Sequence, residues 1–161
     1  MEKLRLIASS LDLDAANRII GHALALRRQE GLLPLTVAVL DAGGNLVALQ
    51  REDGSGTLRS RIAQGKAGAA LGMGMATRTI RDRLASRPAF QSALAVAADG
   101  GFIPVPGGVL VLDDAGIAIG AVGISGDTSD KDEFCAITAV RQAGFGVDPP
   151  EPNPAWREST L

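Results

Sequence analysis

Apolar positions in the first thirty residues recur at helical spacing. Ala16, Ile19, Ile20, Ala23 and Leu24 share one face. Asp12 or Asp14 stands where an N-cap belongs, and Gly31 followed by Pro34 predicts the stop near Glu30. The period then drops to two. Leu35 to Leu40 alternates in β-forming residues, and Leu46 to Gln50 repeats the pattern. Between them lies Asp41-Ala42-Gly43-Gly44-Asn45, a turn composition because glycine and asparagine tolerate positive φ. The two runs predict a β-hairpin.

Arg51 to Gly56 leaves the hairpin as a loop, and a helix is predicted from about Ser60 to Met75. It contains Gly68, Gly72 and Gly74. Each costs about 1 kcal/mol relative to alanine, tolerable where another backbone packs close. A short helix follows over Thr77 to Ala85. Ser86 is expected to cap another, with Pro88 in its first turn. Asp99-Gly100-Gly101 breaks the pattern. Phe102 to Val105 reads as a short strand, held to an edge or bend by Pro104 and Pro106.

Val109 to Leu112, the turn Asp113 to Gly116, and Ile117 to Ile124 predict a second hairpin. Ser129 and Asp132 have capping-box spacing at the start of a last helix that ends near Gly144. Asp130, Asp132 and Glu133 suit its positive end. Four prolines between Val147 and Leu161 predict an extended tail, with Trp156 as its anchor. Hairpins dominate this order. The expectation is one α+β domain over residues 1–161, a mainly antiparallel sheet of about five strands flanked by helices.

Composition narrows the function classes. A net charge of −2 gives no electrostatic reason to expect nucleic acid or an anionic membrane as partner. With aromatic residues at 3%, a base-stacking platform is not expected. Cys135 is the only cysteine, which rules out an internal disulfide and a Cys-type zinc site. No metal site is expected. Met1 to Ser9 alternates charged and apolar residues rather than forming a signal-peptide core, and no run reaches the length of a membrane span. Cytoplasm is the expected location.

Several short stretches resemble the GlcG/HbpS family, which includes the C-terminal domain of PduO-type proteins. They are Val37-Ala38-Val39-Leu40-Asp41-Ala42-Gly43-Gly44, Arg51 with Asp53-Gly54, and Ile62-Ala63 with Lys66-Ala67. Pro106-Gly107-Gly108 follows, then Gly120-Ala121-Val122-Gly123-Ile124-Ser125-Gly126 and Asp132-Glu133. In order they cover roughly residues 35–144. The resemblance implies a profilin-like sheet, a homo-oligomer that is often an octamer, and haem as the ligand of some members. Family turns often carry histidine where this chain has Asn45, which removes one candidate ligand.

Lys66 is the most informative single residue, because it interrupts an apolar helical stripe. Such a lysine snorkels, pairs with an acid, or meets a ligand anion. Arg51 offers a planar fork for carboxylates, or else a salt bridge to Asp53. Ser125 sits where a strand meets a helix N-terminus, suited to an anion or to ordinary capping by Thr128 or Ser129. Gly107 and Gly108 permit close approach of a ligand or a tight bend. His22, the only histidine, is either an axial haem ligand or a polar residue at a helix boundary.

These residues favour a small-ligand binding protein for haem or a carboxylated metabolite, with the site between the first hairpin and the Lys66 helix. A second reading is an enzyme of a small catabolic pathway. There, Lys66 and Asp53 or Asp127 act as acid and base on a carboxylated substrate. A third is a structural assembly without a ligand.

Overall fold

The computed structural model describes residues 3–161; Met1 and Glu2 of the expected Met1–Ser9 stretch lie outside it. Helix α1 (Leu13–Glu30) starts where Asp12 accepts a hydrogen bond from the Ala15 amide at 2.7 Å. It ends at Gly31 in the left-handed region, φ 66°. Strands β1 (Thr36–Asp41) and β2 (Leu46–Arg51) form the first hairpin. Helices α2 (Arg59–Met73), α3 (Thr77–Leu84) and α4 (Pro88–Ala97) follow. Strands β3 (Gly108–Leu112) and β4 (Ala118–Ser125) make the second hairpin, and helix α5 (Ser129–Gln142) leads to β5 (Gly146–Asp148). The strands form one antiparallel sheet in the order β2-β1-β4-β3-β5. The fold is α+β.

Strand alternation gives the two sheet faces different side-chain sizes. Val37 and Val39 align with Ile124 and Val122, and Val109 aligns with Val122, so β-branched residues line one face. That face packs with α1 and α5 around Ile19, Ile20, Ile137 and Val140. The opposite face carries Ala38, Gly123 and Gly108 in one row and Leu40, Ala121 and Leu110 in the next. Helix α2 lies on it through Ala67 and Ala70. The approach is close: a Cβ on Gly123 would stand 1.8 Å from the Ala63 carbonyl oxygen, and one on Gly108 2.4 Å from that of Lys66. Gly108 and Gly123, each from one of the family-like stretches, admit the α2 backbone onto the sheet.

Several expectations need correction. Phe102–Val105 is not a strand; Pro104 and Pro106 lack ladder donors, and the Ile103 amide instead donates to the Gly65 carbonyl at 3.1 Å. The fifth strand comes from the start of the Pro-rich tail, where Val147 pairs with Val111. Gly74 does not lie inside α2 but caps it at φ 64°. Thr128, not Ser129, caps α5, accepting from the Lys131 amide, and α4 begins at Pro88 without a side-chain cap from Ser86. Trp156 does anchor the tail. It is buried, stacked on Phe134 with ring centroids 3.8 Å apart, and covered by the Arg157 guanidinium.

Candidate functional site

A cleft of about 630 Å³ opens between the first hairpin and α2. Leu40 and Leu46 form its hairpin wall, and Arg61, Gln64, Gly65 and Gly68 its helical wall. The end is closed by Asp99, Gly100 and Gly101. Glycine shapes the slot. A Cβ on Gly65 would come 2.5 Å from Ile103 Cγ1, and one on Gly68 3.1 Å from the Gly101 carbonyl oxygen. The 98–103 segment can therefore lie directly on α2. Gln64 is tied back to the Ser60 carbonyl at 3.1 Å, which leaves Arg61 as the exposed cation of the helical wall.

Lys66 points away from this cleft. Its side chain is 2% exposed and passes the end of the sheet. There Nζ donates to the Ile124 carbonyl at 2.8 Å and to Asp132 Oδ2 at 3.0 Å. Gly107 makes the passage possible, since a Cβ on it would lie 2.8 Å from Nζ. Burial pulls the ammonium down from its ordinary pKa and pushes the Asp132 carboxyl up, each opposed by the partner's charge. Asp132 Oδ1 also accepts from the Asp127 amide at 3.0 Å. The Lys66–Asp132 pair thus bolts α2 to the start of α5 past the end of the central strand β4.

The structure does not bring Arg51 and Lys66 to one cleft. Arg51 is exposed at the end of β2, where Nη1 donates to the Ser55 carbonyl at 2.7 Å, and it shares a separate cleft with Asp53. Ser125 Oγ accepts from Arg59 at 3.1 Å. Gly107 and Gly108 give close approach to Lys66 rather than to an open cavity. Asp127 accepts from the Leu33 and Thr128 amides at 2.9 and 2.8 Å and pairs with Lys131. Burial raises its carboxyl, but these hydrogen bonds and Lys131 outweigh burial and hold it below the usual range. His22 is half-buried on α1, across the sheet from the α2 cleft. Cys135 is buried, and burial pushes its thiol up, so it is not poised as a nucleophile.

Residues 11–141 match the family described as haem-degrading protein, HbpS-like. The chain belongs to the HbpS-like family. Among solved structures it is similar to PduOC in complex with haem: 26% identity, 86% of this chain and 98% of that one covered, TM-score 0.76. Klebsiella pneumoniae ORFY gives 26% identity, coverage of 89% and 96%, and TM-score 0.75. A double mutant of Streptomyces reticuli HbpS gives 27%, coverage of 88% and 91%, and TM-score 0.72. No curated protein sequence matches the chain.

Within this HbpS-like chain, the family-like Asp132-Glu133 pair divides its labour. Asp132 receives Lys66, while Glu133 is 0% exposed and faces Arg78 Nε at 3.3 Å from Oε1. Neither Glu133 oxygen has a well-formed hydrogen bond. Burial pushes its carboxyl up to about 7, with Arg78 opposing and Asp130 reinforcing the rise. Among the described residues, no three His, Cys, Asp or Glu side chains are placed to hold a metal ion, and no helix is long and apolar enough to cross a membrane.

Sequence reasoning missed Arg61, Gln64 and the Asp99–Gly101 wall as cleft residues. The signal was present in the glycines of two separate segments, but their meeting is a tertiary fact.

Proposed function

We propose that this protein binds haem, or a flat carboxylated molecule like it, in the cleft between β1–β2 and α2. The observation that carries the reading is the shape of that cleft. Leu40 and Leu46 on one side and α2 on the other border an open cleft of about 630 Å³, within the range of small-molecule sites, with Arg61 available to a propionate. The similarity to PduOC in complex with haem supports it. The lining offers no histidine, cysteine or methionine to iron. Haem is therefore expected to bind weakly, without a strong side-chain ligand from the protein.

A haem titration followed by absorbance tests this. His22→Ala should bind as the wild type does, because His22 lies across the sheet. Leu46→Glu should abolish binding by placing a carboxylate in the slot at an exposed position on an edge strand. Tight binding with a bis-histidine spectrum, or loss of binding in His22→Ala, would move the site to the α1 face.

The same reading includes self-association. Helix α4 buries none of its residues, and Val96 is 78% exposed while Phe90 is 37% exposed. A helix this apolar is best covered by another copy. Sedimentation at micromolar concentration should give a multiple of the 16.5 kDa chain mass; only the single-chain mass would refute it.

A further inference from the structure

A second cleft, of about 430 Å³, lies where the last turn of α1 meets the end of β2. Arg27, Arg28 and Arg51 line it, together with Leu24, Glu52 and Asp53. Their charges are unequally spent. Glu52 Oε2 accepts from the Leu35 amide at 2.7 Å and lies 3.5 Å from Arg27 Nε. That Nε is buried and lacks a hydrogen-bond acceptor of good geometry. Among the described residues, neither Arg28 nor Arg51 has a carboxylate at ion-pairing distance, and Arg51 commits one donor to the Ser55 carbonyl.

Basic residues in a final helical turn ordinarily answer the exposed carbonyls there. Here the Gly31 and Leu32 amides already donate to the Arg28 and Arg27 carbonyls. Arg28 and Arg51 therefore line a small, partly apolar hollow with donors left over.

We propose that this cleft is an anion site for a small organic molecule carrying two negative charges on oxygen, as in a dicarboxylate or a phosphate ester. Two guanidinium groups without a carboxylate partner, Arg28 and Arg51, match two such charges, Arg51 through the donors left beside its Ser55 contact. Leu24 supplies the apolar contact that favours an organic ligand over a bare ion. The site is independent of the haem reading, since α1 and α2 pack on opposite faces of the sheet.

Isothermal titration of the full chain with succinate, glycerol phosphate and inorganic phosphate tests the proposal. At least one should bind saturably at millimolar concentration, and the organic dianions should outbind acetate. Arg28→Gln and Arg51→Gln should each weaken binding about tenfold or more. Arg28→Gln guards against loss of the Ser55 contact in the Arg51 variant. Asp53→Asn should tighten binding by removing a like charge from the rim. Leu46→Glu, in the other cleft, should leave succinate binding intact while haem binding is lost. Preference for inorganic phosphate alone would overturn the organic-ligand assignment. No saturable binding by any probe, or binding unchanged in both arginine variants, would overturn the site itself.

Discussion

Lys66→Met is expected to lower folding stability by about 3–5 kcal/mol, the scale for removing one partner of a buried ion pair. The substitution keeps most of the stem volume. It leaves Asp132, which is 1% exposed, without its cation and the Ile124 carbonyl without its donor. Asp132 can escape part of the penalty by taking up a proton, since burial already raises its carboxyl. Lys66→Met should therefore lose less at acidic pH than at neutral pH. The double variant Lys66→Met, Asp132→Asn should recover part of the loss, because it leaves no buried charge at either position. Urea melts of the three proteins at pH 5 and pH 8 decide it. A loss below about 1 kcal/mol for Lys66→Met would mean that the pair contributes little and that the lysine is free for another task.

Glu133→Gln is expected to stabilise the protein above neutral pH by up to about 3 kcal/mol and to change little near pH 4.5. The folded carboxyl titrates at about 7 against 4.5 for the ordinary group, and each unit of difference is worth about 1.4 kcal/mol. Between those pH values the folded state holds a proton that the unfolded chain has released. Wild-type stability therefore falls as pH rises from 4.5 to 7 and levels off above. Glutamine copies the neutral form at every pH, so it removes this slope. Denaturant midpoints across pH 4 to 9 should converge at the acidic end and separate at the alkaline end. Parallel curves for the two proteins would show that Arg78 fully compensates the buried carboxylate.

The hairpins and the first helix were legible because the apolar period changes sharply at Leu35, and because Gly31 and the Asp41–Asn45 turn mark the joints. The fifth strand was not. Three residues inside a proline-rich tail carry no usable alternation, and only pairing with β3 makes Gly146–Asp148 extended structure. Phe102–Val105 had the better strand composition, but Pro104 and Pro106 stripped it of ladder donors.

The oddity of Lys66 was visible, but its partner was not, because Asp132 lies 66 residues away and looked like a capping-box acid. Arg27 and Arg28 carry no signal in the sequence beyond being two charges near a helix end. Their convergence with Arg51 depends on how the end of α1 sits against β2.

The unequal faces of the sheet set opposite rules for sequence drift. On the α2 side, size is the forbidden direction: a single added methyl at Gly108 or Gly123 runs into helix backbone that cannot step aside. On the α1 and α5 side, shrinkage is the danger, because trimming Val37, Val122 or Ile124 opens a void in the packed cluster. A mutational library of this chain should therefore sort by strand parity. Ala38 and Leu40 of β1 and Ala121 and Gly123 of β4 should reject growth, and Val37, Val39, Val122 and Ile124 beside them should reject loss.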